Sequence, residues 1–414
     1  MTLSKKKITN NSNYNDSKEK RCSEKMALQN QGYFFSTSLK IGSPVQTIEV
    51  LVDTGSSDLF ISSTSNPYCG NICQQFGAFN PNNSESYKEL PYDFFSYFGD
   101  GTVVNGTWAS ETITLDNGNK LPDLQFGLVT TGQALVSGVL GLGLTSLESV
   151  VNYENCPNLY YDNFPASLSK NGLIASNSYS IQMFAETSSI IFGGVDLGLI
   201  EDGFMFTYPL ISDSRFAITM QSLKSAGKTI IKNKVSVYLD TGTTTLTLPQ
   251  NYADSLASTF NATWDSNQFA YMLPTCVDKS RKDIVVEVNF GDITINIESS
   301  DMIAEQDGQC ALNLLPTNTN QIILGDPFFL NAYTVFDLDN REISIAKLNK
   351  DPFYSSVKDI TYWVPGAIKG WYYGSTAKRT FNRATTTTIL SVNTAANEKY
   401  EAFKDIEGFD KFWE

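Results

Sequence analysis

From Tyr33 onward, apolar and polar residues alternate in short runs, broken at close intervals by Gly, Pro or Asn. The run Tyr33-Phe34-Phe35-Ser36-Thr37-Ser38-Leu39-Lys40-Ile41, closed by Gly42-Ser43-Pro44, is the first of them. A period of two with turn residues between runs predicts strands joined by tight turns. The texture persists to about residue 348, and only residues 163–170 and 252–260 read as helical. The expected class is all-β. Two predicted strands end alike. Ile48-Glu49-Val50-Leu51-Val52 runs into Asp53-Thr54-Gly55-Ser56-Ser57, and Val235-Ser236-Val237-Tyr238-Leu239 runs into Asp240-Thr241-Gly242-Thr243-Thr244. In each copy a carboxylate ends a strand and a Gly follows that lets the backbone turn sharply. The two aspartates stand 187 positions apart, too far for a solenoid repeat, so the copies suggest two related lobes.

The ends of the chain differ from its middle. Residues 1–30 are polar and read as a disordered stretch or the remnant of a pro-segment, with Lys20-Arg21 a candidate processing site. Residues 31–212 and 213–348 are expected to be the two lobes, each holding one of the repeated motifs. Residues 349–414 form a C-terminal extension with an aromatic cluster (Tyr362, Trp363, Trp371, Tyr372, Tyr373), a Thr run at 385–388 and an acidic-aromatic end.

Composition narrows the chemistry. At 414 residues and 41% hydrophobic, the chain is long and apolar enough for a sizeable core. A net charge of −14 argues against nucleic acid, whose phosphates need a basic surface. The chain has no histidine, which removes Ser-His-Asp and Cys-His hydrolases, HExxH zinc enzymes and imidazole acid/base catalysis. The cysteines at 22, 69, 73, 156, 276 and 310 lack paired zinc spacing, so no metal is expected. With N-x-S/T sequons at Asn10, Asn15, Asn82, Asn105 and Asn261, they favour a secretory route, to the medium or the cell wall. No signal peptide is visible in residues 1–21, and no run approaches the ~20 apolar residues of a membrane span.

With both Asp-Thr-Gly copies placed, the chain resembles the pepsin-like aspartic proteases over roughly residues 31–348. Val139-Leu140-Gly141 follows the first copy, Ile323-Leu324-Gly325 follows the second, and a glycine-rich hairpin, Gly99-Asp100-Gly101-Thr102, lies between. Ile323-Leu324-Gly325-Asp326-Pro327-Phe328-Phe329 with Thr334-Val335-Phe336-Asp337 looks like the family's closing signature. Within the family, the chain resembles the secreted fungal members of the candidapepsin, yapsin and barrierpepsin type. The resemblance implies a bilobal fold with a cleft between two β-barrel-like lobes. It also implies an endopeptidase working in acid without a cofactor, bound to extended peptide or protein substrates and monomeric.

Peptide hydrolysis without a metal or a covalent nucleophile needs a base to activate water and an acid to protonate the amide. Two carboxyls sharing one proton serve as both, because neighbouring like charges cannot easily both ionise; aspartic-protease dyads are the established case. Asp53 and Asp240 are the expected dyad. The resemblance adds that Thr54 and Thr241 cross-link the loops, that Ser56 and Thr243 bond the outer carboxylate oxygens, and that Gly55 and Gly242 let backbone N–H groups approach. It makes the hairpin over residues 94–106 a flap. There the usual Tyr is Phe98, aligned on Gly99, and the usual Trp after the first Asp is Phe60, so a polar pair is replaced by an apolar one. Leu51, Phe98, Gly99 and Val139 are expected to line an apolar subsite, with Asp100 either a turn residue or a carboxylate that accepts Lys or Arg before the cleaved bond. Cys276–Cys310 matches the family's second-lobe disulfide, Cys69 and Cys73 are candidates to close a first-lobe loop, and the pairing of Cys22 and Cys156 stays open. The alternative function is a weak or inactive pepsin-fold protein that binds peptides or proteins.

Overall fold

The computed structural model describes residues 23–32, 34–97, 101–132, 137–152, 161–184, 188–276, 285–371 and 373. The fold is all-β, and the repetition seen in the sequence extends to whole sheets. In the first half, Phe35–Ile41 runs antiparallel to Gln46–Asp53, which runs parallel to Gly138–Gly141. Gly138–Gly141 is antiparallel to Leu59–Ser62, and that strand is parallel to Lys120–Thr131. In the second half, Ala217–Met220, Val235–Leu239, Ile323–Leu324, Leu246–Pro249 and Leu314–Thr317 follow each other in the same order and with the same senses. Each Asp-Thr-Gly segment is therefore the turn between two strands, and a third strand from far along the chain is wedged between them.

The wedge explains the glycines after Val139-Leu140 and Ile323-Leu324. A Cβ on Gly141 would lie 2.6 Å from the Asp58 backbone, and one on Gly325 would lie 2.0 Å from the Thr243 carbonyl oxygen. No side chain fits where two backbones cross this closely.

A seven-stranded sheet takes strands from both halves. Its order is Glu24–Ala27, Ser189–Phe192, Ser178–Gln182, Ala332–Asp337, Glu342–Leu348, Ile200–Pro209 and Ala367–Lys369. The core is continuous across it. Tyr179 and Phe336 stack with centroids 4.9 Å apart, and Phe216 meets Phe336 at 4.7 Å, joining the apolar residues under one motif (Val52, Leu140) to those under the other (Leu239, Leu324). Burial of this order stabilises by roughly 25 cal/mol per Å² of apolar surface, and it fixes one half against the other.

Of the two expected helices, 163–170 forms as Phe164–Lys170, with the Asn163 side chain accepting a hydrogen bond from the Ala166 N–H as its cap. The second forms as Gln250–Ala257 and tightens into a short 3₁₀ turn, Ser258–Phe260. Two helices were not foreseen. Gly70–Phe76 buries none of its residues and so carries no apolar stripe to read, while Asp326–Phe329 is buried all round and is too short to show a period. Disulfides join Cys69 to Cys73 and Cys276 to Cys310. Cys22 and Cys156 lie outside the described residues, as do residues 1–22 and 374–414.

The start of the C-terminal extension is built into the fold. Val357–Asp359 pairs with Gly194–Asp196, and Ala367–Lys369 lies parallel to Ile200–Pro209. Ile360 and Val364 are buried against Val195, Met205, Tyr333 and Val335. Among the described residues, no helix is long and apolar enough to cross a membrane.

Candidate active site

Asp53 ends the strand Gln46–Asp53, and Asp240 follows Val235–Leu239 directly. The two motifs hold their carboxylates in the same way. The Gly55 N–H donates to Asp53 Oδ1 at 2.7 Å and the Ser56 hydroxyl to Asp53 Oδ2. The Gly242 N–H donates to Asp240 Oδ1 at 2.9 Å and the Thr243 hydroxyl to Asp240 Oδ2 at 3.0 Å. Each carboxylate is thereby fixed in direction by a backbone donor and a hydroxyl.

The motifs also face each other. A Cβ on Gly55 would stand 2.4 Å from the Asp240 carboxyl, and one on Gly242 would stand 2.3 Å from Asp53 Oδ1. Only glycine leaves room for the opposite carboxyl. Beneath them the threonines exchange four bonds. The Thr54 hydroxyl accepts from the Thr241 N–H at 3.0 Å and donates to the Leu239 carbonyl at 3.0 Å. The Thr241 hydroxyl accepts from the Thr54 N–H at 3.1 Å and donates to the Val52 carbonyl at 2.8 Å. Both threonines are buried, so water cannot replace a lost partner. Thr54→Val is accordingly expected to lower unfolding free energy by about 1–3 kcal/mol, the penalty for orphaning a buried N–H and C=O. Thr54→Ser should recover most of it. Denaturant unfolding checks this, and a valine variant as stable as wild type would contradict the role of the cross-brace.

Burial raises the Asp53 carboxyl to about 7, and the charge of Asp240 pushes in the same direction; the bonds from Ser56 and Gly55 oppose both. Asp326, buried just behind, is also pushed well above the usual carboxylate range, first by burial and then by Asp240. Asp326 lies in the stretch Ile323–Phe329, which was matched as a motif without singling out this residue. An Asp within a run of apolar residues was the available signal.

The hairpin expected to be the flap is built from Lys88–Tyr97 and Val103–Thr114. Its tip residues Phe98, Gly99 and Asp100 lie outside the described residues. At its base Phe60, Phe94, Val104, Trp108, Val129 and Val139 form one apolar cluster, with Leu51 packed on its edge. Phe94 meets Trp108 edge-on at 4.9 Å, and Phe60 lies 6.0 Å from Phe94. Phe60 is 3% exposed, so the position expected to carry a Trp packs here as a purely apolar member. Leu51 and Val139 are neighbours on parallel strands, two positions before Asp53 and Gly141 in the same register.

A second group of acids below the hairpin escaped the sequence reading. Asp58 accepts from the Tyr161 hydroxyl at 2.6 Å and from the Ser149 N–H at 2.9 Å. Glu148 is 2% exposed, and its Oε1 has no hydrogen-bond partner among the described residues. Burial raises Glu148 to about 9, helped by Asp58 and Asp162. Asp58 is raised as well, chiefly by burial. No cluster of residues suited to hold a metal occurs among the described residues.

A family profile described as eukaryotic aspartyl protease matches residues 33–348. The chain is similar to barrierpepsin of Saccharomyces cerevisiae, 34% identical over 379 residues, covering 81% of this chain but 64% of that protein's length. It is similar to aspartic proteinase yapsin-3 of the same yeast, 34% identical over 395 residues, covering 89% of this chain and 77% of the relative. Candidapepsin of Candida tropicalis is 34% identical over 355 residues, 83% of this chain and 85% of the relative.

Proposed function

This chain belongs to the eukaryotic aspartyl protease family, and from that premise we propose that it is an aspartic endopeptidase whose Asp53 and Asp240 act together on one water molecule. The observation that carries the reading is the mutual approach of the two motifs, in which each glycine abuts the carboxyl of the other. Below about pH 7 the pair holds one proton, because burial and the second charge keep Asp53 from ionising. The ionised carboxylate takes a proton from water as its oxygen bonds to the scissile carbonyl carbon, and the protonated carboxyl donates to the carbonyl oxygen. Collapse of the tetrahedral intermediate breaks the C–N bond, and the amine leaves with a proton returned by the pair. No cofactor takes part in these steps. The bonds from Gly55, Ser56, Gly242 and Thr243 hold the carboxylates in place without donating to the intermediate.

The substrate lies extended across the cleft, with alternate side chains directed to opposite walls. Leu51 and Val139 supply one apolar wall, and the hairpin closes over the peptide and excludes water. Two bonded cysteine pairs fit an oxidising compartment, and among the chain's relatives is one named secreted aspartic protease 3, from Candida albicans, which supports a secretory destination. The acidic net charge of −14 supports protein rather than nucleic acid as partner. The enzyme acts as a monomer, since both motifs come from one chain.

The reading is tested by incubating the protein with a peptide library at pH 3 to 6, with and without a statine-type inhibitor, and identifying the products. Internal cleavage that the inhibitor blocks is the expected result. Intact peptides throughout, with the inhibitor nevertheless bound, would instead favour a peptide-binding protein of this fold.

A further inference from the structure

The twofold repetition gives the cleft two matching walls, but their chemistry is not the same. Leu51 stands two residues before Asp53 and faces Val139 on the neighbouring parallel strand. Tyr238 stands two residues before Asp240 and faces Ile323 in the same register. The two pairs are therefore counterparts across the dyad. In an extended peptide, consecutive side chains point to opposite faces. A scissile bond placed at the dyad thus sends the side chain before it to one wall and the side chain after it to the other. If Leu51 and Val139 take the residue before the bond, Tyr238 and Ile323 take the residue after it.

On this second wall stands a charged side chain. Arg215, on the segment just before Ala217–Met220, lines the same hollow as Gly55, Tyr238, Asp240 and Ile323. Its guanidinium carbon lies 5.6 Å from the centre of the Tyr238 ring, within cation–π range. Its backbone N–H is taken by the Ser212 hydroxyl, but among the described residues no carboxylate forms an ion pair with its side chain. Nearby Asp213 is turned to Arg341 instead, at 3.4 Å. The residue is half-buried, so its donors are partly desolvated and still reachable. A planar cation held over an aromatic ring at the edge of a peptide cleft, with no carboxylate paired to it among the described residues, is suited to bind a carboxylate through two parallel N–H donors.

We propose that Arg215 makes the subsite for the residue following the cleaved bond selective for an acidic side chain, Asp or Glu. The inference rests on Asp53 and Asp240 being the catalytic pair, since their position defines which wall follows the bond. A glutamate side chain has a pKa of about 4.3 in a peptide, so the preference switches on only above that pH. A charge-assisted hydrogen bond of this kind corresponds to about tenfold or more in kcat/KM.

The test uses four peptides that differ only in the residue after the scissile bond, Glu, Gln, Leu or Lys, and measures kcat/KM from pH 3.5 to 6. For wild type, Glu should exceed Gln by about tenfold at pH 6, and the ratio should fall towards one at pH 3.5. Arg215→Met should remove the ratio at pH 6, and Arg215→Lys should keep part of it. Because each ratio is taken within one protein, it does not depend on the fraction folded. A wild-type ratio near one at pH 6, or a ratio unaltered in Arg215→Met, overturns the inference while leaving the hydrolase reading intact. Equal losses on all four peptides with a displaced pH profile also overturn it, since Arg215 would then act on the dyad. If wild type cleaves none of the peptides or the library, the hydrolase reading itself fails and this inference with it.

Discussion

Asp240→Asn is expected to reduce kcat/KM by about 10²- to 10⁴-fold at pH 4 to 6, the range for losing a general acid/base, with the fold retained. An amide neither ionises nor accepts a proton from water, so the pair loses its base or its acid whichever role Asp240 plays. The fold should survive because the Asn oxygen can still accept from the Gly242 N–H, which bonds Asp240 Oδ1 at 2.9 Å. Removing the charge of Asp240 also removes the largest cause, after burial, that raises Asp53. The wild-type pH profile should therefore descend near pH 7, where the pair loses its shared proton, and in the variant that limb should move to lower pH, burial alone still holding Asp53 up. Steady-state cleavage of one internally quenched peptide measures both, with a statine-type inhibitor to exclude contaminating activity. A variant within tenfold of wild type would sink the dyad.

Glu148→Gln is expected to stabilise the protein at neutral pH and to leave it nearly unchanged in acid. Burial raises the folded-state value of Glu148 from 4.5 to about 9. Below about 4.5 the folded and unfolded chains both hold the proton, and stability is complete. As pH rises towards 9, the unfolded chain releases a proton that the folded chain must keep, so stability falls by about 1.4 kcal/mol per pH unit from this one group. At pH 7.5 the glutamine variant should be more stable by on the order of 4 kcal/mol, because a neutral side chain of the same shape has no proton to lose. Asp58, Asp162 and the Tyr161 hydroxyl face Glu148, and Asp58 is itself raised, so the effect of one acid adds to that of another. Asp53, Asp301, Asp326, Asp337 and Glu24 are shifted in the same direction, mainly by burial. The whole set describes a protein built to be stable in acid and to lose stability towards neutrality. Denaturant unfolding of both proteins at pH 4.5 and 7.5 decides the matter: equal slopes of stability against pH would refute the role of Glu148.

The elements that the sequence announced are those with a local signal. Strands ending at Asp53 and near Asp240 show period-two alternation, and the glycines that follow each Asp are forced by the backbone turn and by the opposite carboxyl. The helix Phe164–Lys170 carries its cap in Asn163, whereas Gly70–Phe76 has neither a side-chain cap nor a buried stripe and Asp326–Phe329 is a single turn, so both were invisible. The absence of histidine and the doubled Asp-Thr-Gly together restricted the chemistry to carboxylates, and that reading needed no coordinates.

Tertiary structure decided what depends on distant parts of the chain meeting. The reciprocal bonds of Thr54 and Thr241 join residues 187 positions apart, and they form where a core shared by both halves, with Tyr179, Phe216 and Phe336 in it, brings the two motifs together. That Glu148 is shut away from water beside Asp58, or that Arg215 stands over Tyr238 at the edge of the cleft, cannot be read from either residue's neighbours in sequence. A residue's type and its turn propensity are properties of a few adjacent positions. The field a carboxyl or a guanidinium feels is set by everything within a few ångströms, and folding alone brings that together.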